Sequence, residues 1–391
     1  MPYQVHFENR PAGYAASAAR GPGMLQVIVS EFVSSEDGDK LIERLEGLPS
    51  QVLGMLPSEA NVKPATLDHM LAVIRRDGSA TVYVNELPMV ARAMVKRGGI
   101  QAGDPLRADD IADIAEVTLG DIEVPASAGI IFVFSVHWRK GLFYDLSPLQ
   151  AESPRPRRYD LGQTLAAFFS YLSYNHLFKI SADDWQLLFR NAWFPFQGLK
   201  GDTVRNLLAH LRQGWGAEEL LPRINQEVVE LLPQLQQRCA ANPLLQPHAE
   251  FVRLAVDHFS KSDFISAISV LYPRLEGIMR AHHFASGQTS KPAHQNLAES
   301  AVEPVGEERH PYSLLLPDNF SRFLSEVYFE EFDPRNPDVL SRHSVCHGVA
   351  SGPQFSQQGA LLGFLILDQL SLLFAGFTSN PPEDPSCEEA V

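Results

Sequence analysis

Apolar and polar positions divide the chain into a strand-rich first third and a helical remainder. Met24–Val33 (MLQVIVSEFV) is largely β-branched and apolar, which predicts a strand. Asp39–Glu46 predicts a short helix, and Thr66–Arg76 a second one, because Met70, Leu71 and Ile74 fall at helical spacing. Asp77-Gly78 signals a turn before the strand-like alternation of Ala80–Val84. Ile130–Trp138 (IIFVFSVHW) and Leu142–Leu146 (LFYDL) predict a hairpin reversing at Lys140-Gly141. Residues 24–150 therefore read as a mixed α/β domain, preceded by a flexible N-terminus, 1–23, rich in Ala, Gly and Pro. This domain holds no glycine-rich phosphate loop, nucleophile elbow or CxxC pair, so its role is unassigned, with a sensor role expected.

Ser153–Arg158 (SPRPRR) reads as a linker or exposed basic strip. Residues 159–240 then predict a helical connecting region. Asp160 caps a helix running to Phe178, Ser181 and Asp184 frame Trp185–Trp193, and a further helix spans about Ala217 to Cys239. The aromatics crowded between Phe168 and Phe196 suit a packed seam better than base stacking, since only Lys179 and Arg190 are interleaved with them.

Residues 245–376 predict a helical bundle. Pro247–Phe259 is one helix, and Asp263–His283, with Pro273 as a kink, is a second. Ala285–Leu316 is polar and predicts a loop of about 30 residues. Asp318 caps Asn319–Phe329, Asn336-Pro337 opens a short helix ended by Gly348, and Ser356 caps a last helix reaching Phe374. Residues 377–391 predict an acidic, disordered tail. The overall expectation is an α+β multidomain chain.

The apolar run Ala360–Phe377 could be mistaken for a membrane span. Asp368 stands in its middle and no basic flank follows, so it reads as a buried core helix. The first residues lack the apolar core of a secretory signal, and three cysteines make no disulfide framework. A cytoplasmic chain without a membrane partner is expected. The net charge of −15 excludes a protein that coats duplex nucleic acid, which needs clustered Lys and Arg.

One constellation carries chemistry: Ser341-Arg342-His343-Ser344-Val345-Cys346-His347-Gly348. Arginine stays charged and grips phosphate oxygens as a fork, and histidine moves protons near neutral pH. Together they are about the least that metal-free RNA cleavage requires, because RNA carries its own nucleophile, the 2′-hydroxyl. On a straight helix five residues turn through roughly 140°, so Arg342 and His347 would face apart unless Gly348 lets the helix unwind. Cys346 reads as a small buried apolar residue rather than a nucleophile.

The Arg-polar-x-x-x-His pattern, placed in a bundle before a strongly apolar final helix and after LYPRLEGIMR (Leu271–Arg280), resembles the signature of the HEPN family (higher eukaryotes and prokaryotes nucleotide-binding). The resemblance covers about Pro247–Phe374. It implies a metal-independent endoribonuclease that dimerises through the bundle, with no cofactor and no metal, acting on RNA (tRNA among the candidates). A toxin or defence role is implied, with an antitoxin or trigger ligand that the sequence does not identify. Arg342 and His347 are the implied catalytic pair, and His343 stands where active members more often carry Asn. Glu276 either orients Arg342 or merely pairs with Arg280 at i, i+4. Two alternatives stand beside this reading. One is a catalytically silent dimerisation or scaffold module. The other is a metal hydrolase using His343 and His347, with His282, His283, His294 and His310 as further possible ligands; the glutamate of H-E-x-x-H is missing at Ser344, and no Cys or Asp falls at ligand spacing.

Overall fold

The computed structural model describes residues 2–11, 13, 15–18, 21, 24–60, 62–63, 66–96, 98, 100–101, 103–150, 156–304, 309–331 and 340–376. The chain forms an antiparallel sheet region and a helical region, an α+β arrangement, in two compact units. The first comprises residues 1–93, 114–178 and 310–312, and the second residues 94–113, 179–309 and 313–391.

In the first unit six strands lie in the order β1-β6-β5-β9-β10-β4. They are β1 (Tyr3–His6), β4 (Ser30–Ser34), β5 (Met70–Ile74), β6 (Ser79–Val84), β9 (Gly129–Val136) and β10 (Arg139–Asp145). All the pairings are antiparallel, with Met70 opposite Val133 and Val133 opposite Leu142. Met70, Ala72, Ile74, Ile131, Val133 and Leu142 share one buried cluster with Leu41 of helix α1 (Asp39–Glu46) and Val52 of α2 (Leu48–Gly54). The alternate positions serve the other face. Phe32 stacks on Phe168 of α3 (Leu161–Ser173) with ring centroids 3.9 Å apart, and Phe143 lies 5.0 Å from the same ring. Both faces of the central strands are thus covered, which is why their sequences are continuous apolar runs.

That double burial corrects one expectation. Thr66–Arg76 is not a helix: Met70–Ile74 is strand β5, every residue of it buried. An apolar run without alternation does not distinguish a two-sided strand from a helix by period alone. The β9–β10 hairpin forms, but it reverses at His137-Trp138, with His137 at φ +55°, rather than at Lys140-Gly141. Met24–Val33 splits into β3 (Leu25–Ile28), which pairs with β2 (Ala15–Ala18), and β4 in the large sheet. Residues 1–23 therefore include two strands and are not uniformly loose. The connecting region 159–240 is also divided, because α3 and α4 (Asn175–Phe178) belong to the first unit. Of the expected linker, 151–155 lie outside the described residues, while Arg157 donates to the carbonyls of Val124, Pro125 and Ala128.

The chain passes between the units within β7 (Val90–Val95) and β8 (Ile111–Thr118), which pair with each other. The second unit is helical: α5 (Ala182–Arg190), α6 (Gly201–Arg212), α7 (Leu221–Ala241), α8 (Ala249–Ser260), α9 (Phe264–Ala285), α10 (His294–Ser300), α11 (Pro317–Phe323), α12 (Arg342–Cys346) and α13 (Gln357–Leu373). Helix α13 is capped by Ser356 and buried from Gly359 to Leu373, packing on α7 and α9. Its polar residues are satisfied internally. Asp368 pairs with Arg238 of α7, and Gln369 accepts from Gln197 N and donates to Leu315 O. Burial pushes the Asp368 carboxyl up to about 6, against the pull of Arg238 and Lys96. Among the described residues no helix is long and apolar enough to cross a membrane.

The expected loop over Ala285–Leu316 contains a helix, α10. Helix α11 starts at Pro317 behind Leu316, which takes φ +49°, and not at an Asp318 cap. It continues into a π-turn at Leu324–Tyr328, where the Tyr328 hydroxyl donates to Tyr272 O at 2.6 Å. Asn336-Pro337 and the acidic tail lie outside the described residues.

Candidate functional site

Helix α12 is a single turn, too short to persist without fixed ends. Its first end is a capping box: Ser341 N donates to Ser344 Oγ at 2.9 Å and Ser344 N donates to Ser341 Oγ at 3.3 Å, both residues being buried. At the other end His347 is the cap residue and Gly348 takes φ +69°, which a side chain would oppose. The carbonyl of Ser344 then receives the N–H groups of Val349 and Ala350, both at 3.0 Å. The helix ends at Cys346, but His347 as its cap still donates its N–H to His343 O at 3.1 Å, so the chain leaves the helical track at Gly348 and not at His347.

Beneath α12 runs α9, and Glu276 is the buried residue they share. Its Oε1 accepts from Arg280 Nε at 2.8 Å and Nη2 at 2.6 Å, and its Oε2 faces Arg342 Nε. Glu276 thus binds Arg280 on its own helix and stands at ion-pair distance from Arg342 across the helix pair. With two arginines on one carboxylate the cluster carries a net positive charge. Charge-assisted bonds are short and directional, so the carboxylate sets the Arg280 guanidinium plane, while its contact with Arg342 Nε is an ion pair.

The structure does not bring Arg342 and His347 into contact. It brings His347 beside His343, with rings 5.8 Å apart and 18° from parallel. His343 Nε2 in turn lies 3.2 Å from His294 Nδ1. His294 stacks on Phe329 at 4.9 Å and its Nε2 stands 3.9 Å from Glu276 Oε1. His343 and His294 are both held below the ordinary imidazole range. For His343 the causes are burial, then His294, Arg342 and His347, with Glu331 opposing. For His294 they are burial first, with Glu276 opposing, and then Arg342 and Arg280, with Glu331 opposing. His347 is exposed. Cys346, expected to be buried, is exposed as well.

The sequence offers His294 only as a possible metal ligand and gives Phe329 no role. A usable signal exists: His294–Ser300 lies between Pro292 and Pro304 and places Leu297, Ala298 and Ala301 where one helix face would bury them. A cleft of about 570 Å³ opens beside His294, lined by Glu299, Glu326, Glu330 and Glu331, with Arg322 paired to Glu326 at 3.2 Å. Its acidic lining disfavours a phosphate in the cleft itself. Among the described residues no three His, Cys, Asp or Glu side chains form a group able to hold a metal ion.

No family model matches the chain, and no curated protein and no solved structure matches it.

Proposed function

We propose that the helical unit is a metal-independent endoribonuclease of the HEPN kind, with its site on α12. The observation that supports it best is the pair of adjacent imidazoles, His343 and His347, beside a guanidinium that Glu276 holds in place. RNA cleavage by the 2′-hydroxyl needs one group to accept a proton and another to donate one. The 2′-oxygen gives its proton to His343 and bonds to phosphorus. The bond from phosphorus to the 5′-oxygen breaks, and that oxygen takes a proton from His347. Arg342 stabilises the added charge on the phosphorane oxygens. The products are a 2′,3′-cyclic phosphate and a 5′-hydroxyl.

On this reading the protein acts as a homodimer through the bundle, a second copy bringing another Arg342–His347 set to the same RNA. The first unit senses a trigger, as a toxin or defence effector requires. Residues 240–391 hold 9 Lys/Arg against 19 Asp/Glu, so RNA binding is local and weak at rest, confined to a few cations.

The pair Arg342–Glu276 also favours a second reading, a silent scaffold in which Arg342 only ties α12 to α9. Incubating wild type, Arg342→Ala and His347→Ala with tRNA and total RNA in EDTA separates the two. Cleavage by wild type that disappears in His347→Ala supports the nuclease, whereas intact RNA with all three proteins supports the scaffold.

A further inference from the structure

His294 sits at the start of α10, and α10 is fixed to α9 by a buried histidine. His283 of α9 places Nδ1 3.2 Å from Ser300 Oγ and Nε2 3.2 Å from the Ser290 carbonyl. The carbonyl can only accept, so Nε2 carries the His283 proton and Nδ1 accepts from the serine. The segment after α9 is thereby fastened at both ends of the turn that delivers His294. The His294 ring is then gripped on two sides, lying on Phe329 and meeting His343 edge-on, 4.6 Å away and perpendicular.

The hydrogen positions follow from the partners. Glu276 Oε1 lies 3.9 Å from His294 Nε2, too far for a hydrogen bond, and its negative charge favours the tautomer with the proton on that nitrogen. His294 Nδ1 is then a lone pair. His343 Nε2, 3.2 Å from it, must be the donor. The remaining nitrogen of His343, Nδ1, is left unprotonated. The chain from carboxylate through one imidazole to a second is arranged so that His343 can take a proton at Nδ1, while the positive charge it gains is met through His294 by Glu276.

We infer that His294 is a positioning residue which fixes His343 in its Nε2-protonated tautomer and so makes His343 Nδ1 the proton acceptor of the site. This rests on the nuclease reading for its catalytic part, while the tautomer itself does not. The groups that bear on His343 are His294 of α10, Arg342 and His347 of its own segment, and Glu331. Burial and the cations keep His343 neutral at pH 7, which the role requires.

Two variants of the full chain separate the hydrogen bond from packing. His294→Phe keeps a ring on Phe329 and removes the acceptor. His294→Asn gives up the stack and offers an amide oxygen where Nδ1 stood. In protein labelled with ¹⁵N at histidine, long-range proton–nitrogen spectra should show His343 protonated at Nε2 in wild type. They should show a mixture of tautomers in His294→Phe and a return toward Nε2 in His294→Asn. An unchanged His343 tautomer in His294→Phe overturns the inference. In cleavage, His294→Phe should lower kcat by roughly 10–100-fold, the usual effect of losing a group that orients a reacting histidine, with KM nearly unchanged. His294→Asn should recover most of it. Equal kcat in wild type and His294→Phe, with His347→Ala inactive, overturns this inference and spares the nuclease. Absence of cleavage by wild type overturns the nuclease and the catalytic part of the inference, and the spectra still decide the tautomer.

Discussion

Glu276→Gln tests the site's electrostatics most severely, because the substitution keeps shape and removes charge. In the native chain one buried carboxylate serves Arg280 through bonds of 2.8 and 2.6 Å and Arg342 through its other oxygen. Glutamine offers one acceptor oxygen and turns an NH₂ group toward a guanidinium. Breaking a buried ion pair from one side costs about 3–5 kcal/mol. The two arginine side chains keep 27% and 19% exposure, so water recovers part of that. A loss of about 2–3 kcal/mol is expected, between the buried and solvated limits. With a urea slope of about 2 kcal/mol/M, the midpoint falls by about 1 M. Fluorescence reports mainly the right unit, since Trp185, Trp193 and Trp215 lie in the helical one and the fourth tryptophan, Trp138, is exposed in the other. The double variant Glu276→Gln/Arg342→Gln should cost about 1 kcal/mol or more below the sum of the single changes, the signature of direct coupling. A shift under about 0.2 M with no coupling would mean that the three charges are effectively solvated, and the claim that Glu276 sets Arg342 would fail.

Other outcomes follow from neighbouring residues. Gly348→Ala meets no atom within 4 Å, so its cost is conformational alone, about 1–2 kcal/mol for a left-handed residue, and thermal unfolding should register it. His282 is fully buried, stacks on Phe374 at 4.2 Å and is pushed down by burial to about 4. A lowered imidazole favours the folded state above its unfolded value, and that contribution is lost as pH falls from about 6.5 toward 4. The loss amounts to about 3 kcal/mol at 1.36 kcal/mol per unit. His282→Phe should flatten this part of the pH–stability curve, and an equally steep curve would refute the assignment.

The elements most legible in the sequence were those with one dominant signal. Helix α1 occupies the expected residues, α9 begins one residue after the expected Asp263, α13 begins behind the expected cap Ser356, and the β9–β10 pair is visible as two apolar runs. Strand β5 was hidden because both faces of MLAVI are buried, which erases the period of two. Strand β1 is only four residues long and owes its place to pairing with β6, a long-range fact that no local pattern carries. At the site, Arg342, His343 and His347 were legible as a motif, and Glu276 as a helical neighbour of Arg280. The relation among them was not. Helical geometry alone separates Arg342 from His347, and the structure puts His343 beside His347 instead. His294 is legible only as a loop histidine and possible metal ligand; its place beside His343 depends on a buried side-chain tie from His283 to Ser300, 17 residues away in a polar stretch that reads as loop.

The central claim is that α12 carries an acid–base pair acting on RNA. Its most direct measurement is the chemistry of the cut ends, read on a defined RNA in EDTA with wild type beside His347→Ala. The account predicts fragments ending in 2′,3′-cyclic phosphate and beginning with 5′-hydroxyl, formed by wild type and lost in His347→Ala. Ends of 3′-hydroxyl and 5′-phosphate, or cutting undiminished in His347→Ala, would contradict it.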